Sequence, residues 1–273
     1  MFFKSLIINI FLFLFIALNL QAYSQQKIKG FYLSNLKDNG FRDWEVRGRE
    51  AILHDEYVDI DEMNANYYLK DDTINITSDE ARLNKESMDL YLKDNVNIKN
   101  KEGATLITDS LDWQRQKNQI NTEDWVKVER NSMQIIAKGL SADTQLKNAD
   151  FKEDVEVVFP DEKTGETTTI TCKGPLEIEY NLGKAVFNQD VVVKNKDGTL
   201  NSDKTTLFFD NQEKRIKTII AEGNVKITRD DNVTFSQKAT YTVAEQKIVL
   251  EGRPRLYYFP KENEDIFPNA SEQ

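Results

Sequence analysis

Residues 221–227 read Ala221-Glu222-Gly223-Asn224-Val225-Lys226-Ile227, and the return of this pattern decides the fold. A short turn-forming step followed by Val-x-Val or Val-x-Ile recurs as Lys93-Asp94-Asn95-Val96-Asn97-Ile98 and Glu123-Asp124-Trp125-Val126-Lys127-Val128. It recurs again as Glu153-Asp154-Val155-Glu156-Val157, Gln189-Asp190-Val191-Val192-Val193 and, more loosely, Glu251-Gly252-Arg253-Pro254-Arg255-Leu256. From Val96 the steps are 30, 29, 36, 34 and 29 residues. A fixed period of this size is the mark of a stacked repeat. The two long steps coincide with extra turn-like residues at 160–166 and 210–214.

A second landmark keeps the same beat. A small or apolar residue precedes a larger one by two positions at Ala51/Leu53, Ala81/Leu83, Leu111/Trp113, Leu140/Ala142, Leu176/Ile178, Thr205/Leu207 and Ala239/Tyr241. Its steps are 30, 30, 29, 36, 29 and 34 residues. Seven units follow, the first less regular than the rest.

Within a unit the hydrophobic period is two, and no internal stretch holds a helical stripe. The expectation is an all-β chain of about 20 short strands, each unit reading strand, tight turn, strand, tight turn, strand. Alternation along a strand puts Val96 and Ile98, Val126 and Val128, Val155 and Val157, Val191 and Val193, Val225 and Ile227, and Pro254 and Leu256 on one face. Leu92, Ile120, Phe151, Phe187, Ala221 and Leu250 fall on the same face. The other face is mostly Lys, Asn, Glu and Thr. Stacked units therefore give one long apolar interior inside a charged skin.

Composition narrows the function. The chain has 273 residues, 36 Lys+Arg against 46 Asp+Glu and a net charge of −10, which disfavours a nucleic-acid partner. One Cys excludes a disulfide framework and any Cys-based zinc site, and one His excludes multi-His metal motifs. No Gly-rich phosphate loop or nucleophile elbow is present. No metal or other cofactor is expected, and the chain does not read as an enzyme. The acidic run Asp55-Glu56, Asp59, Asp61-Glu62 beside His54 lacks the glycine and spacing of a calcium loop and reads as a solvated strand face. Trp44, Trp113 and Trp125 read as core or rim packing, and Cys172 as a small buried apolar residue. Arg253 and Arg255 read first as edge-strand charge and second as a contact for phosphate or a partner.

The N-terminus supplies an address. Lys4 precedes an almost wholly apolar run from Leu6 to Leu20. A cleaved signal peptide fits, with Ala22-Tyr23-Ser24 as the small-residue site and a cut near Ser24. A retained signal-anchor helix counted from Phe2 also fits. Either way the chain is exported, and a bacterial source makes the compartment periplasmic.

An exported sheet folded on itself, lined throughout by apolar residues, can leave a trough for alkyl chains, at about 0.8 kcal/mol per methylene removed from water. Its open ends are templates for another sheet edge. With these residues in register the chain resembles the OstA-like β-jellyroll proteins of lipopolysaccharide export. Trp44-Glu45-Val46-Arg47-Gly48-Arg49-Glu50-Ala51 is similar to the start of the membrane-anchored LptC-type component. Ser202-Asp203-Lys204-Thr205, residues 221–227 and Ala239-Thr240-Tyr241 are similar to the soluble LptA-type bridge. The resemblance covers roughly residues 30–260, and seven units exceed what a short LptC-type domain needs.

The resemblance implies an elongated antiparallel β-jellyroll of about seven ~30-residue repeats behind one N-terminal apolar helix. Its parts are a signal segment (1–24), LptC-like repeats (30–159), LptA-like repeats (170–260) and a frayed tail (261–273). It implies passive carriage of lipid A acyl chains from an inner-membrane ABC transporter toward the outer membrane. Its partners would be lipopolysaccharide, that transporter and other jellyrolls joined edge to edge. The lipid-lining positions would be Leu92, Val96, Ile98, Val126, Val128, Phe151, Val155, Val157, Phe187, Val191, Val193, Val225, Ile227 and Leu250. The rival is a structural or adhesive β-repeat with a sealed core and no lipid ligand.

Overall fold

The computed structural model describes residues 26–259, apart from 38–39, 70–71, 102, 131, 145, 161–164 and 211–214. The expected signal segment at 1–24 and tail at 261–273 lie outside the described residues.

Seventeen strands form one antiparallel sheet in which, β11 and β17 apart, each strand pairs with the one before it in the chain. They are β1 (Gln26–Leu36), β2 (Arg42–Leu53), β3 (Tyr57–Tyr68), β4 (Thr73–Asn84), β5 (Leu90–Asn100), β6 (Thr105–Gln114), β7 (Gln119–Arg130), β8 (Met133–Asp143) and β9 (Asn148–Pro160). Then come β10 (Thr167–Cys172), β11 (Leu176–Glu179), β12 (Lys184–Asn195), β13 (Gly198–Asp210), β14 (Arg215–Arg229), β15 (Asn232–Thr242), β16 (Lys247–Glu251) and β17 (Arg255–Tyr257). β10 and β11 are two halves of one broken strand, since both lie between β9 and β12. β16 and β17 share the free edge of β15 in the same way. The hydrogen-bonded sheet is continuous through the 160–170 insertion.

The all-β expectation holds, but the unit is built differently. The strands are fewer and longer than expected, and a ~30-residue unit is two long strands rather than three short ones. The Asp-Asn and Gly-Asn steps are not hairpin turns. They are kinks halfway along a strand, where the register with the neighbour skips: Lys93/Val96 in β5, Asn188/Val191 in β12 and Glu222/Val225 in β14. Backbone φ is positive at Asp94, Asn95, Asp154, Gln189, Asp190, Gly223 and Asn224. Asn, Asp and Gly tolerate that region best. Kinks aligned in successive strands bend the whole sheet along one line.

Neighbouring strands reinforce the line. The Asn95 side-chain amide donates to Asp79 at 2.7 Å, and that of Asn224 donates to Asp203 at 2.9 Å. Each aspartate follows a serine that pairs with the strand on its other side, Ser78 facing Met63 of β3 and Ser202 facing Val191 of β12.

The bend doubles the sheet over. Tyr67 ends β3 and Trp113 ends β6, with two strands between them. In a flat sheet they would lie some 14 Å apart across the strands, and at opposite strand ends. Their rings meet at 5.6 Å, edge to face at 80°. Arg130 at the end of β7 likewise lies 4.6 Å over the ring of Tyr180, which follows β11. Arg115, in the turn after β6, reaches Asp43 at the start of β2 at 3.2 Å. These contacts close the seam opposite the fold line.

Candidate functional site: the apolar interior

Registers on adjacent strands align the inward side chains into rows that run the length of the molecule. One row passes Leu33, Val46, Ala65, Ile76, Ile98, Leu106, Val128, Ile135, Val157, Ile170, Val193, Leu200 and Ile227, then Thr234 and Leu256. On the other layer Leu140, Phe151, Leu176, Phe187, Thr205, Ala221, Ala239 and Leu250 form a second row. Val96, Val126, Val155 and Val191 lie next to the fold line. Apart from Leu92, which pairs with Ala81 and Leu111, and Val225, which pairs with Ser236, every expected lining position falls among these residues.

The rows are not uniformly open. Leu92, Val96, Val126, Val155, Val157, Phe151, Phe187, Val191 and Val225 are fully buried, and Val128 nearly so. Ile98, Val193, Ile227 and Leu250 are half-buried and flank the core clusters. Side chains therefore fill the centre of the fold. Toward the C-terminal edge the same rows come into the open: Ile248 is 53% exposed and Leu256 64%. The expectation that Leu256 is buried fails because, among the described residues, β17 is the last strand and none covers it. At the opposite edge Leu33 is 50% exposed.

Polar residues interrupt the interior at places that the repeat did not reveal. Thr108 and Thr122 are buried with their hydroxyls 3.3 Å apart, and Ser202 lies 2.8 Å from Thr205. Each pair satisfies itself, which removes the penalty of burying a lone hydroxyl. Cys172 is buried in the row beside Val155, and desolvation raises its thiol pKa, which leaves it an inert apolar filler.

Near the N-terminal end the packing leaves an apolar cavity of about 60 Å³. Trp44, Ile60, Met63, Tyr67, Trp113 and Arg115 contribute to its wall, the rings of Tyr67 and Trp113 being in contact with each other. Among the described residues the buried indole N–H of Trp44 has no acceptor. An unmade hydrogen bond of this kind costs about 1–3 kcal/mol.

On the outer face the acidic run is occupied by cations. Asp59 accepts from Arg82 at 2.7 Å and lies 3.0 Å from the His54 imidazole, while Arg49 holds Asp61 and Glu62. Among the described residues no group of three or more His, Cys, Asp or Glu could hold a metal ion. Glu45, not foreseen as special, is buried on the outer face under β1. It accepts from Tyr32 at 3.0 Å, Arg42 at 3.0 Å and Asn66 at 2.9 Å. The Asn66 hydrogen bond, aided by Tyr32, holds its carboxyl below the usual range against the opposing cost of burial. Arg253 and Arg255 are exposed on the last strand pair, and Trp125 is half-exposed on the surface.

Two family models match this chain. One, described as lipopolysaccharide-assembly, LptC-related, matches residues 65–160. The other, described as LptA/(LptD N-terminal domain) LPS transport protein, matches residues 174–267. The chain belongs to the OstA-like lipopolysaccharide-export family. It carries an LptC-type part followed by an LptA-like part, and its role lies in lipopolysaccharide transport. Residues 161–173, which include β10, lie between the two matches and within the continuous sheet. No curated protein matches the chain. Among the described residues no helix is long and apolar enough to cross a membrane.

Proposed function

We propose that this OstA-like chain is a passive carrier in the periplasm that shelters lipid A acyl chains between the two layers of its folded sheet. It takes them from an inner-membrane ABC transporter and passes them on toward the outer membrane. The observation that carries the reading is the pair of mainly apolar rows, buried at the centre, the longer of which emerges at both sheet edges, at Leu33 and Leu256. A tail sliding along such a row exchanges one apolar wall for the next without passing through water, at about 0.8 kcal/mol per methylene kept covered.

The centre is filled, so carriage requires the layers to part. The described seam contacts across the fold are an aromatic pair, a cation–π contact and a partly exposed ion pair. Each is worth about 1 kcal/mol or less in such settings. Tails entering between the layers restore the apolar contacts that separation removes. The lining positions are the residues from Leu92 to Leu250 named above, in LptC-like repeats (30–159) and LptA-like repeats (170–260). The N-terminal segment would tether the chain to the inner membrane or be removed near Ser24, and the exposed edges would join other jellyrolls of this family.

Photo-crosslinkers at Phe187 and Val225 should capture lipopolysaccharide in cells that make it. Capture only from outward positions such as Lys194 would leave the alternative, a sealed structural repeat.

A further inference from the structure

We propose that the outer face of β13–β16 is a docking surface for a second copy of this chain, the two copies packing back to back. The surface is separate from the sheet edges and from the interior, and it stands whether or not the interior carries lipid.

The first observation is a change in the skin. One outward row crosses the strands from β3 to β16. As far as β11 it includes Asp112, Asp150 and Glu177. From β12 onward it reads Val186, Thr206, Ile220, Thr240 and Val249, with no charge. These residues face away from the core, because Thr205, Leu207, Ala221 and Ala239 beside them face into it. Thr206 is buried, Ile220 and Thr240 are half-buried and Val249 is 42% exposed. Phe208 and Thr218 widen the strip toward the strand ends. A solvated sheet face is ordinarily polar, whereas β-branched, uncharged faces are the kind that pack sheet on sheet.

The second observation is the row beside the strip. Lys204, Glu222, Lys238 and Glu251 lie directly opposite one another on β13, β14, β15 and β16. Their signs alternate, so the row read backward has the opposite sign at every place. Within the chain only the middle two approach as an ion pair, Lys238 lying 3.8 Å from Glu222. Among the described residues Lys204 and Glu251, the two ends, have no ion-pair partner.

A two-fold axis parallel to the strands, between β14 and β15, lays each row on its own reverse. Lys204 then meets Glu251 of the second copy, Glu222 meets its Lys238, and Ile220 meets its Thr240. Every contact occurs twice, as in any isologous pair, with the sheets aligned about 10 Å apart. A slip by one strand sets like charge on like, so the row also fixes the register. Four strands by three residues cover about 400 Å² on each copy, half of what a standard interface buries per partner. The dimer is therefore weak. The axis reverses the long direction of one copy, so pairing lengthens neither chain and leaves all sheet edges free.

Detergent-solubilised full chain should show a monomer–dimer equilibrium by sedimentation near about 100 µM protein, weakening as salt is raised. Lys204→Glu and Glu251→Lys each set two like pairs across the axis and should each weaken the dimer roughly ten-fold. The double variant should return it toward the native value. Lys204 and Glu251 stand three strands, about 14 Å, apart in one chain, and each change also sets like charges side by side within its own chain. Only a second copy lets one change repair the other. Ile220→Lys gives the strip a charge of the sort this row carries farther back and should abolish the dimer. If that variant does not fold, the charge swap alone carries the test. A chain that stays monomeric, association indifferent to both charges, or a double variant weaker than either single one overturns the proposal.

Discussion

Phe151→Ala separates a carrier from a sealed core. The Phe151 ring is 2% exposed and lies in the central row between Leu140 and Leu176, themselves fully buried. Covering about 200 Å² of aromatic surface at about 25 cal/mol per Å² gives about 5 kcal/mol as an upper bound. Compactness of the unfolded chain lowers this to about 3–4 kcal/mol. Truncations of buried Phe cost about 3–5 kcal/mol, in line with that range. A repeat array can unfold in parts, so the loss should be read locally, from hydrogen exchange of the β8, β9 and β11 amides. The hole left behind is the shape of an alkyl segment on the carriage path. An acylated amphiphile added at 100 times its dissociation constant should restore about 2.7 kcal/mol, and more to the variant than to the native chain if its tail fills the hole. Loss without rescue would refute the reasoning that tails reach the centre. A loss under about 1 kcal/mol would refute the packed centre itself.

Gly48→Ala should free the first strand: a Cβ there would lie 2.5 Å from the Phe31 ring and 2.8 Å from Ile60, so β1 amide protection should fall by about 1–3 kcal/mol while β4–β9 keep theirs. Gly174 has φ +116°, and a Cβ would lie 2.0 Å from the Lys152 carbonyl oxygen. Gly174→Ala should therefore cost about 3 kcal/mol or more, seen as a lowered urea midpoint. Glu45 has a depressed pKa, so its support is present above the ordinary value of 4.5 and is lost as pH falls through its folded value. Hydrogen exchange should show β1 loosening below about pH 4.5, and Glu45→Gln should flatten that dependence. Leu256→Asp, on a residue 64% exposed, should change stability by less than about 0.5 kcal/mol yet reduce transfer of lipopolysaccharide to a second jellyroll in a crosslinking assay.

The rows were legible because they are periodic twice over, in two along a strand and near thirty along the chain. Val96 and Ile98 announce themselves through Val126 and Val128, and the structure puts all four in the interior. The kinks were visible but misread. Asp94-Asn95 and Gly223-Asn224 satisfy positive φ whether the chain reverses or merely bends, so composition alone does not tell a hairpin from a fold line. Counting them as turns split long strands into short ones. The Ser-Asp steps at Ser78-Asp79 and Ser202-Asp203 repeat on the partner strand and carried a usable signal, since their aspartates meet Asn95 and Asn224. The seam contacts carried none. Arg115 and Asp43 are 72 residues apart and belong to no period, and only the doubling of the sheet brings them together.

Because every strand touches its two neighbours and little else, the molecule behaves as a measuring rod graduated in hairpins. Each added pair of strands lengthens it by about 10 Å and extends a row by two residues. A single added strand would instead reverse the direction of all that follow and break the rows. Evolution can thus tune how far this chain reaches in steps of two strands.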